Sequence, residues 1–398
     1  NDLKNLSNSS DRISQFNIKI DFDKSQGSFI YDKITKREYL DFMGMYSSLP
    51  LGYNHKTFDN EDFKKDVERA SKLKIVNCEI LSDEFDKFFK SFKDFTSLGV
   101  YKNYHFTCTG GLANEAAVKT AMWHKGPQPE GKIISLVNSF HGINSVGNFL
   151  TSRFPSVRER LGDIFKNYYN EHLHASSVEG AIKLLKVDKV QGVIIEPIQS
   201  TFGDNYLDKK ELKRLHKECK KRNIPLIFDE IQTGFCATGK TWYFEHLEMQ
   251  PDIVVFGKKS QVSGIMVKGS HSKVFEMPKK LSVTFDGDLL DMIRCHYIMK
   301  AIEEEELRDN ATKMGDLLAS GLSKINEVEN IRSKGLLIAF DLESKLKRDQ
   351  LSILLHKKGM LCNPTGDKSI RLRPNLAVTE EECEKALKLV SSTASNLT

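Results

Sequence analysis

Residues 226–258 read LIFDEIQTGFCATGKTWYFEHLEMQPDIVVFGK and contain two short apolar runs, Pro225 to Phe228 with its leading proline and Ile253 to Phe256. Each run leads to a residue with chemistry to offer, Asp229 after the first and Lys258 after the second. Both are bounded by breaker residues, are apolar on both faces and follow helical patterns, as fully buried strands of a parallel sheet do. Ligands of open α/β sheets sit beyond the carboxyl ends of the strands. An acid and a lysine delivered there by two strands define a candidate site.

Outward from this stretch the alternation continues. Tyr104 to Cys108 is a predicted strand that meets Thr109-Gly110-Gly111 and then a helix over Leu112 to Trp123. Ile133 to Val137 is a strand ending at Asn138-Ser139-Phe140-His141-Gly142. A helix over Val178 to Leu185 leads to a strand over Gly192 to Ile195, and a charged amphipathic helix over Lys209 to Arg222 leads into the first opening run. Strand and helix in alternation predict βαβ units around a parallel sheet. On the N-terminal side, Phe29 to Tyr31 and Glu38 to Phe42 read as a hairpin, and Met43 to His55 as a loop rich in aromatic and small residues. Beyond Asp286 a long helix is expected from Leu289 to about Ile325, interrupted near Leu307 to Asn310. Strands at Leu336 to Phe340 and Ile370 to Leu372, with helices at Arg348 to Lys358 and Glu380 to Ser391, complete a smaller α/β unit. The expected division is an N-terminal segment 1–45 packing with the small domain, a large domain 46–295 and a small C-terminal domain 296–398.

The composition is that of an ordinary globular chain: 398 residues, 39% hydrophobic, 28% charged, net charge +5 from 59 basic and 54 acidic residues. Basic runs are short, which argues for solvated faces and against nucleic acid. Neither apolar run is long enough to span a membrane. The seven cysteines are scattered and lack C-x-x-C spacing, so neither a disulfide framework nor a metal site is expected. Asn1 opens a polar stretch with no apolar core or Arg-rich pattern of a targeting segment. The cytoplasm is the expected compartment, with sequence upstream of Asn1 allowed for.

Taken singly, the motifs have bland explanations. Thr109-Gly110-Gly111 suits any strand-to-helix turn, Asp229 a capping carboxylate, and Lys258 beside Lys259 a solvated pair. Together they suit one cofactor. Pyridoxal phosphate (PLP) requires a lysine for its Schiff base, an acid to keep the pyridine nitrogen protonated, and a phosphate cradle at a helix N-terminus. A lysine in a desolvated, positively charged site also has a lowered pKa, which frees it as nucleophile and proton carrier.

FDEIQTGF with a downstream PDIVVFGKK resembles the signature of class III aminotransferases of PLP fold type I, and GKKSQVSG resembles lysine ε-aminotransferases (L-lysine 6-transaminases). The likeness extends from DFMGMYSSLPLGYNH through TGGLANEAAVKTA, SFHG, IIEPIQ and TFDGDLLDMIR to IRLRPNL. It implies a large domain with a mostly parallel central sheet flanked by helices, plus a smaller α/β domain. It makes Lys258 the Schiff-base lysine and Asp229 the partner of the pyridine nitrogen. Gly110 and Gly111 hold the phosphate, Phe140 stacks on the ring with His141 in the same cofactor set, and Gln232 contacts the 3-hydroxyl region. Thr284 reaches the phosphate of the other subunit, which implies a homodimer with shared sites. Arg371, in R-x-x-P-x-L, binds the carboxylate of 2-oxoglutarate or glutamate. The implied reaction is a ping-pong transfer of a terminal amino group to 2-oxoglutarate, giving an aldehyde and glutamate.

Two positions depart from that pattern. Lysine ε-aminotransferases carry an arginine after FHG that holds the donor's distal carboxylate, where this chain has Ile143. They carry a glutamate after EPIQ that masks the second arginine, where this chain has Thr201. Losing a bidentate guanidinium removes a strong charge-assisted pair. The donor is therefore expected to be held by another base such as Arg153, or to be a different amine. PLP-dependent decarboxylation or racemisation, and a PLP-binding homologue with weakened catalysis, remain the competing expectations.

Overall fold

The computed structural model describes residues 16–126, 130–153, 172–187 and 189–397. Its centre is a seven-stranded sheet in the order Tyr101–Thr107, Ser263–Lys268, Ile253–Phe256, Leu226–Asp229, Val190–Ile195, Lys132–Leu136 and His172–Ala175. The last five pair in parallel, whereas Ser263–Lys268 runs antiparallel to both neighbours. That strand was not expected. Gly264 dilutes its apolar pattern, and the glycine is demanded by packing, because a Cβ there would lie 2.3 Å from the His105 carbonyl oxygen.

The two opening runs are adjacent, with Val255 opposite Asp229 in parallel register, and all eight of their strand residues are buried. Side chains apolar on both faces are what a sheet covered by helices on both sides requires. Helix Gly110–Lys125 covers one face through Ala113, Ala116, Ala117 and Ala121. These small side chains let its backbone lie close to the strands.

A four-stranded antiparallel sheet, in the order Glu329–Lys334, Leu337–Asp341, Ser369–Leu372 and Asn363–Thr365, lies in the C-terminal part with helices Leu307–Leu322, Lys345–Lys358 and Glu380–Ala394. The N-terminal hairpin Phe29–Asp32 and Arg37–Asp41 is present, and Met360–Leu361 adds to it in parallel, pairing Met360 with Leu40. The long helix divides into Leu289–Glu304 and Leu307–Leu322, slightly earlier than expected, where Glu306 takes a left-handed φ of 52°. The stretch read as a loop from Met43 to His55 contains the helical turn Gly44–Ser47 and is followed by a second, Lys56–Asp59.

Two histidines make the packing pH-sensitive. His246 and His296 are held down to about 4, chiefly by burial and then by Lys334 and Lys87 respectively. The unfolded chain binds protons that the native state refuses as pH drops from about 6.5 to about 4, so stability is complete above that window and lost on descending through it. Allowing for their partial exposure, each contributes on the order of 1–2 kcal/mol across that window. Denaturant titrations at pH 7 and pH 4.5 should show this loss, and the double variant His246→Gln/His296→Gln should reduce it.

Candidate active site

Five loops at the carboxyl ends of the central strands bring the predicted residues together. Asp229 closes its strand, is buried, and has three partners, which leaves acceptor capacity on Oδ1: its Oδ2 accepts from Asn114 Nδ2 at 3.0 Å and lies 2.9 Å from His141 Nδ1, while Oδ1 accepts from the Ile231 amide at 3.2 Å. Asn114 also donates to the His141 carbonyl at 3.1 Å. His141 therefore sits beneath Asp229 as part of its support. Sequence reasoning missed Asn114, although its place one turn into the helix after Gly110-Gly111 was a usable signal.

Lys258 follows Ile253–Phe256 in a left-handed conformation, φ 55°, that opens the short turn Lys258–Ser260. Its amino group donates to the Tyr46 carbonyl at 2.7 Å. Burial, followed by the positive charges of Arg371 and Arg373, lowers its pKa to about 7 against the pull of Asp229 and Glu196. At neutral pH about half of it is the free amine, the form able to attack a carbonyl. Lys259, expected to be solvated, is 3% exposed.

Thr109 caps the helix by accepting from the Leu112 amide at 3.5 Å. A Cβ at Gly110 would come within 2.8 Å of Ile231 Cδ1, whereas one at Gly111 would meet nothing within 4 Å. A side chain at the first glycine would have to displace the Ile231 side chain; the second fronts open space, as a cradle for an anion does. Phe140 donates its amide to Glu196 at 2.7 Å. Glu196 is buried, and burial together with the Asp229 charge pushes its carboxyl well above the usual range. Gln232 Oε1 and His141 Nε2 are buried without a hydrogen-bond partner. These unmet atoms, one in the loop after Asp229 and one on its supporting histidine, leave hydrogen-bonding capacity that suits a polar ligand at this sheet edge.

Arg371 is buried. It donates Nη1 to the Ser200 carbonyl at 2.8 Å, and its Nε is left without a partner. Burial and the neighbouring Arg373 lower its pKa to about 10, so the group still carries its charge at neutral pH. With Arg153, Thr201, Arg348 and Thr365 it lines a cavity of about 220 Å³. Thr201 Oγ1 is likewise buried without a partner. Arg153 donates Nε to the Thr201 carbonyl at 3.0 Å and stacks over Phe202. Ile143 is 52% exposed. Thr284 is exposed and lines a different cavity, of about 1000 Å³, with Asn77, His105 and Asp286. Among the described residues no cluster of His, Cys, Asp or Glu could hold a metal, and no helix is long and apolar enough to cross a membrane.

A mostly parallel sheet that ends one strand in an acid and leads its neighbour into a desolvated lysine fits a PLP-dependent enzyme of fold type I. Comparison with known proteins is more specific. The pattern of the family described as aminotransferase class-III matches residues 11–393, and this chain belongs to that family of PLP-dependent transferases. It is 28% identical to the L-lysine-epsilon aminotransferase of Streptomyces clavuligerus over 96% of this chain and 91% of that protein. It is 27% identical to an ornithine aminotransferase of Schizosaccharomyces pombe over 94% and 89%. The structure of lysine aminotransferase from Mycobacterium tuberculosis, in the internal aldimine form, matches it with a TM-score of 0.89 at 28% identity, covering 100% of this chain and 99% of the other.

Proposed function

We propose that this aminotransferase moves a terminal amino group from an amine donor to 2-oxoglutarate, with the ε-amino group of L-lysine the first donor to test. What carries this reading is the pairing of Lys258, a lysine near half-neutral at pH 7, with a buried, triply bonded Asp229 on the neighbouring strand. PLP, when bound, supplies an electron sink for the carbanion formed at the donor carbon. Asp229 holds the pyridine nitrogen protonated, and Asn114 and His141 hold Asp229. Gly110 and Gly111 would receive the phosphate at the helix N-terminus, Phe140 would stack on the ring, Gln232 would contact its 3-hydroxyl region, and Lys258 would take up and return the proton of the donor carbon.

Arg371 receives the acceptor's carboxylate. It has no carboxylate ion-pair partner among the described residues, since Thr201 stands where the related enzymes have a masking glutamate. A permanently available Arg371, with Ile143 exposed and apolar, favours carboxylate-bearing partners such as glutamate in both half-reactions and makes a second donor class, ornithine or a diamine, the alternative to lysine. The competing decarboxylase and racemase readings lack a comparable supporting observation.

A donor panel of lysine, ornithine, diamines and glutamate, read by the loss of the bound cofactor's visible band and by glutamate formed from 2-oxoglutarate, tests the reading. Transfer from none of them would overturn it, and efficient lysine turnover would show that Ile143 does not exclude lysine. Arg371→Met should raise the KM for 2-oxoglutarate by ~10²- to 10³-fold, the cost of removing the buried cation that meets a carboxylate. A diamine half-reaction should change far less.

The working protein is proposed to be a cytoplasmic homodimer with shared sites. Leu112, Val283 and Phe285 are exposed and border one small hollow beside Thr284, which supports a second copy covering that face. The division at residues 45 and 295 is proposed as well. The pairing of Met360–Leu361 with Arg37–Asp41 and the bond from Ser28 to Glu382 support packing of residues 1–45 on the C-terminal part.

A further inference from the structure

Lys259 has no part in the chemistry just described, yet it is buried. Its amino group donates to the Ser47 carbonyl at 2.7 Å and to Ser47 Oγ at 2.9 Å, and it has no carboxylate salt bridge among the described residues. Burial and then Arg373 lower its pKa to about 7. A buried lysine without an acid is costly where leucine or methionine would pack.

What it holds is unusual. Gly44, Met45, Tyr46 and Ser47 all take left-handed backbone angles, φ 59°, 50°, 56° and 72°. Left-handed runs are sterically unfavourable for residues with a Cβ, so this turn must be fixed by its surroundings. One end is fixed by Asp41, which accepts from the Met43 and Gly44 amides at 3.0 and 2.8 Å. Gly44 packs so tightly that a Cβ would lie 2.1 Å from the Arg373 carbonyl oxygen. The other side is fixed by three rungs from the Lys258 turn. Lys258 donates to the Tyr46 carbonyl, Lys259 to Ser47, and Gln261 Nε2 to the Ser48 carbonyl at 2.8 Å.

We propose that Lys259 is a positioning residue for Lys258: through Ser47 it locks the left-handed turn Gly44–Ser47 so that the Tyr46 carbonyl holds the Lys258 amino group whenever that lysine is not bonded to the cofactor. The inference rests on the reading of Lys258 as the cofactor-bonding lysine. A released lysine side chain regains much rotamer freedom. A fixed acceptor limits that freedom and keeps the amine beside the atoms it must serve. Two of the three rungs do not involve the Lys258 side chain, so the acceptor stays in place when that side chain leaves it.

The test uses cofactor-free protein. Amide hydrogen exchange is followed over residues 44–49, and the pH midpoint of Lys258 modification by trinitrobenzenesulfonate is located by peptide mass spectrometry. Arg371, Arg373, Asp229 and Glu196 are the charged groups that set this midpoint, and Lys259, whose own pKa Lys258 lowers, is the adjoining one. In Lys259→Met, exchange over 44–49 should rise about tenfold or more, with the strand Leu226–Asp229 unaffected. The Lys258 midpoint should rise by about one pH unit as a like charge is lost and water enters. Ser47→Ala, a small change that keeps the carbonyl rung, should move both readouts less and in the same direction, and it carries the test if Lys259→Met does not fold. Lys258→Ala should leave exchange over 44–49 within about twofold. Unchanged exchange and midpoint in the foldable variants would overturn the clasp. A visible PLP band surviving in Lys258→Ala would instead overturn the assignment of Lys258, and the positioning role with it.

Discussion

Lys258→Ala is expected to lower amino transfer by at least ~10⁴-fold, because one group is asked to be both nucleophile and proton carrier. The substitution takes away a side chain whose pKa is depressed to about 7, a group the fold gains little stability from keeping. Its melting curve should therefore stay close to that of the parent protein, so that lost activity is not lost structure. Two further measurements separate the roles. The rate at which cofactor-free parent protein captures PLP should climb with pH around 7, not around the ordinary lysine value near 10.4, as the free amine is formed. A small primary amine added to Lys258→Ala should restore part of the proton transfer, since the vacated space beside the Tyr46 carbonyl can admit one. No rescue together with normal PLP capture would show that another residue, Lys259 first, does the work.

Why the sequence showed Lys258 and not its surroundings is a matter of periodicity. Leu226–Asp229 and Ile253–Phe256 are buried on both faces, and such runs announce themselves; the residues that end them come along. Asn114, Glu196 and the turn Gly44–Ser47 reach the site by tertiary packing, which leaves no period to read. Lys259 was misleading for a related reason. A lysine in a pair is ordinarily solvated, and only the carbonyl of a turn some 200 residues away, Ser47, accounts for its burial. Helices Glu61–Ser71 and Asp83–Thr96 were also unread, although Asn60 and Ser82 respectively cap them in the usual way. The cavity around Arg371 was legible only in part. The motif pointed to the arginine, while Arg348 enters from helix Lys345–Lys358, buried by bonds to the carbonyls of Thr365, Gly366 and Ser369.

Asp229→Asn should reduce transfer by about 10³-fold, the loss of a fixed charge placed against the developing one. The geometry makes this substitution more severe than its size suggests. Asp229 Oδ2 accepts a hydrogen from Asn114 Nδ2 and lies against His141 Nδ1, and Oδ1 accepts from the Ile231 amide. An asparagine has one acceptor oxygen, so either its amide opposes donors on the Asn114 side or it opposes the Ile231 amide. A buried donor facing a donor costs about 1–3 kcal/mol, and thermal melting of the cofactor-free variant should show it. The double variant Asn114→Asp/Asp229→Asn separates the two effects. It returns an acceptor to face the new amide and should regain part of the stability, less what is lost with the bond from Asn114 to the His141 carbonyl, but it moves the charge from the strand end to the helix Gly110–Lys125. Stability recovered without activity would show that the position of the carboxylate matters, as the Asn114 and His141 support implies. Activity recovered alongside stability would show that any buried negative charge near Lys258 suffices.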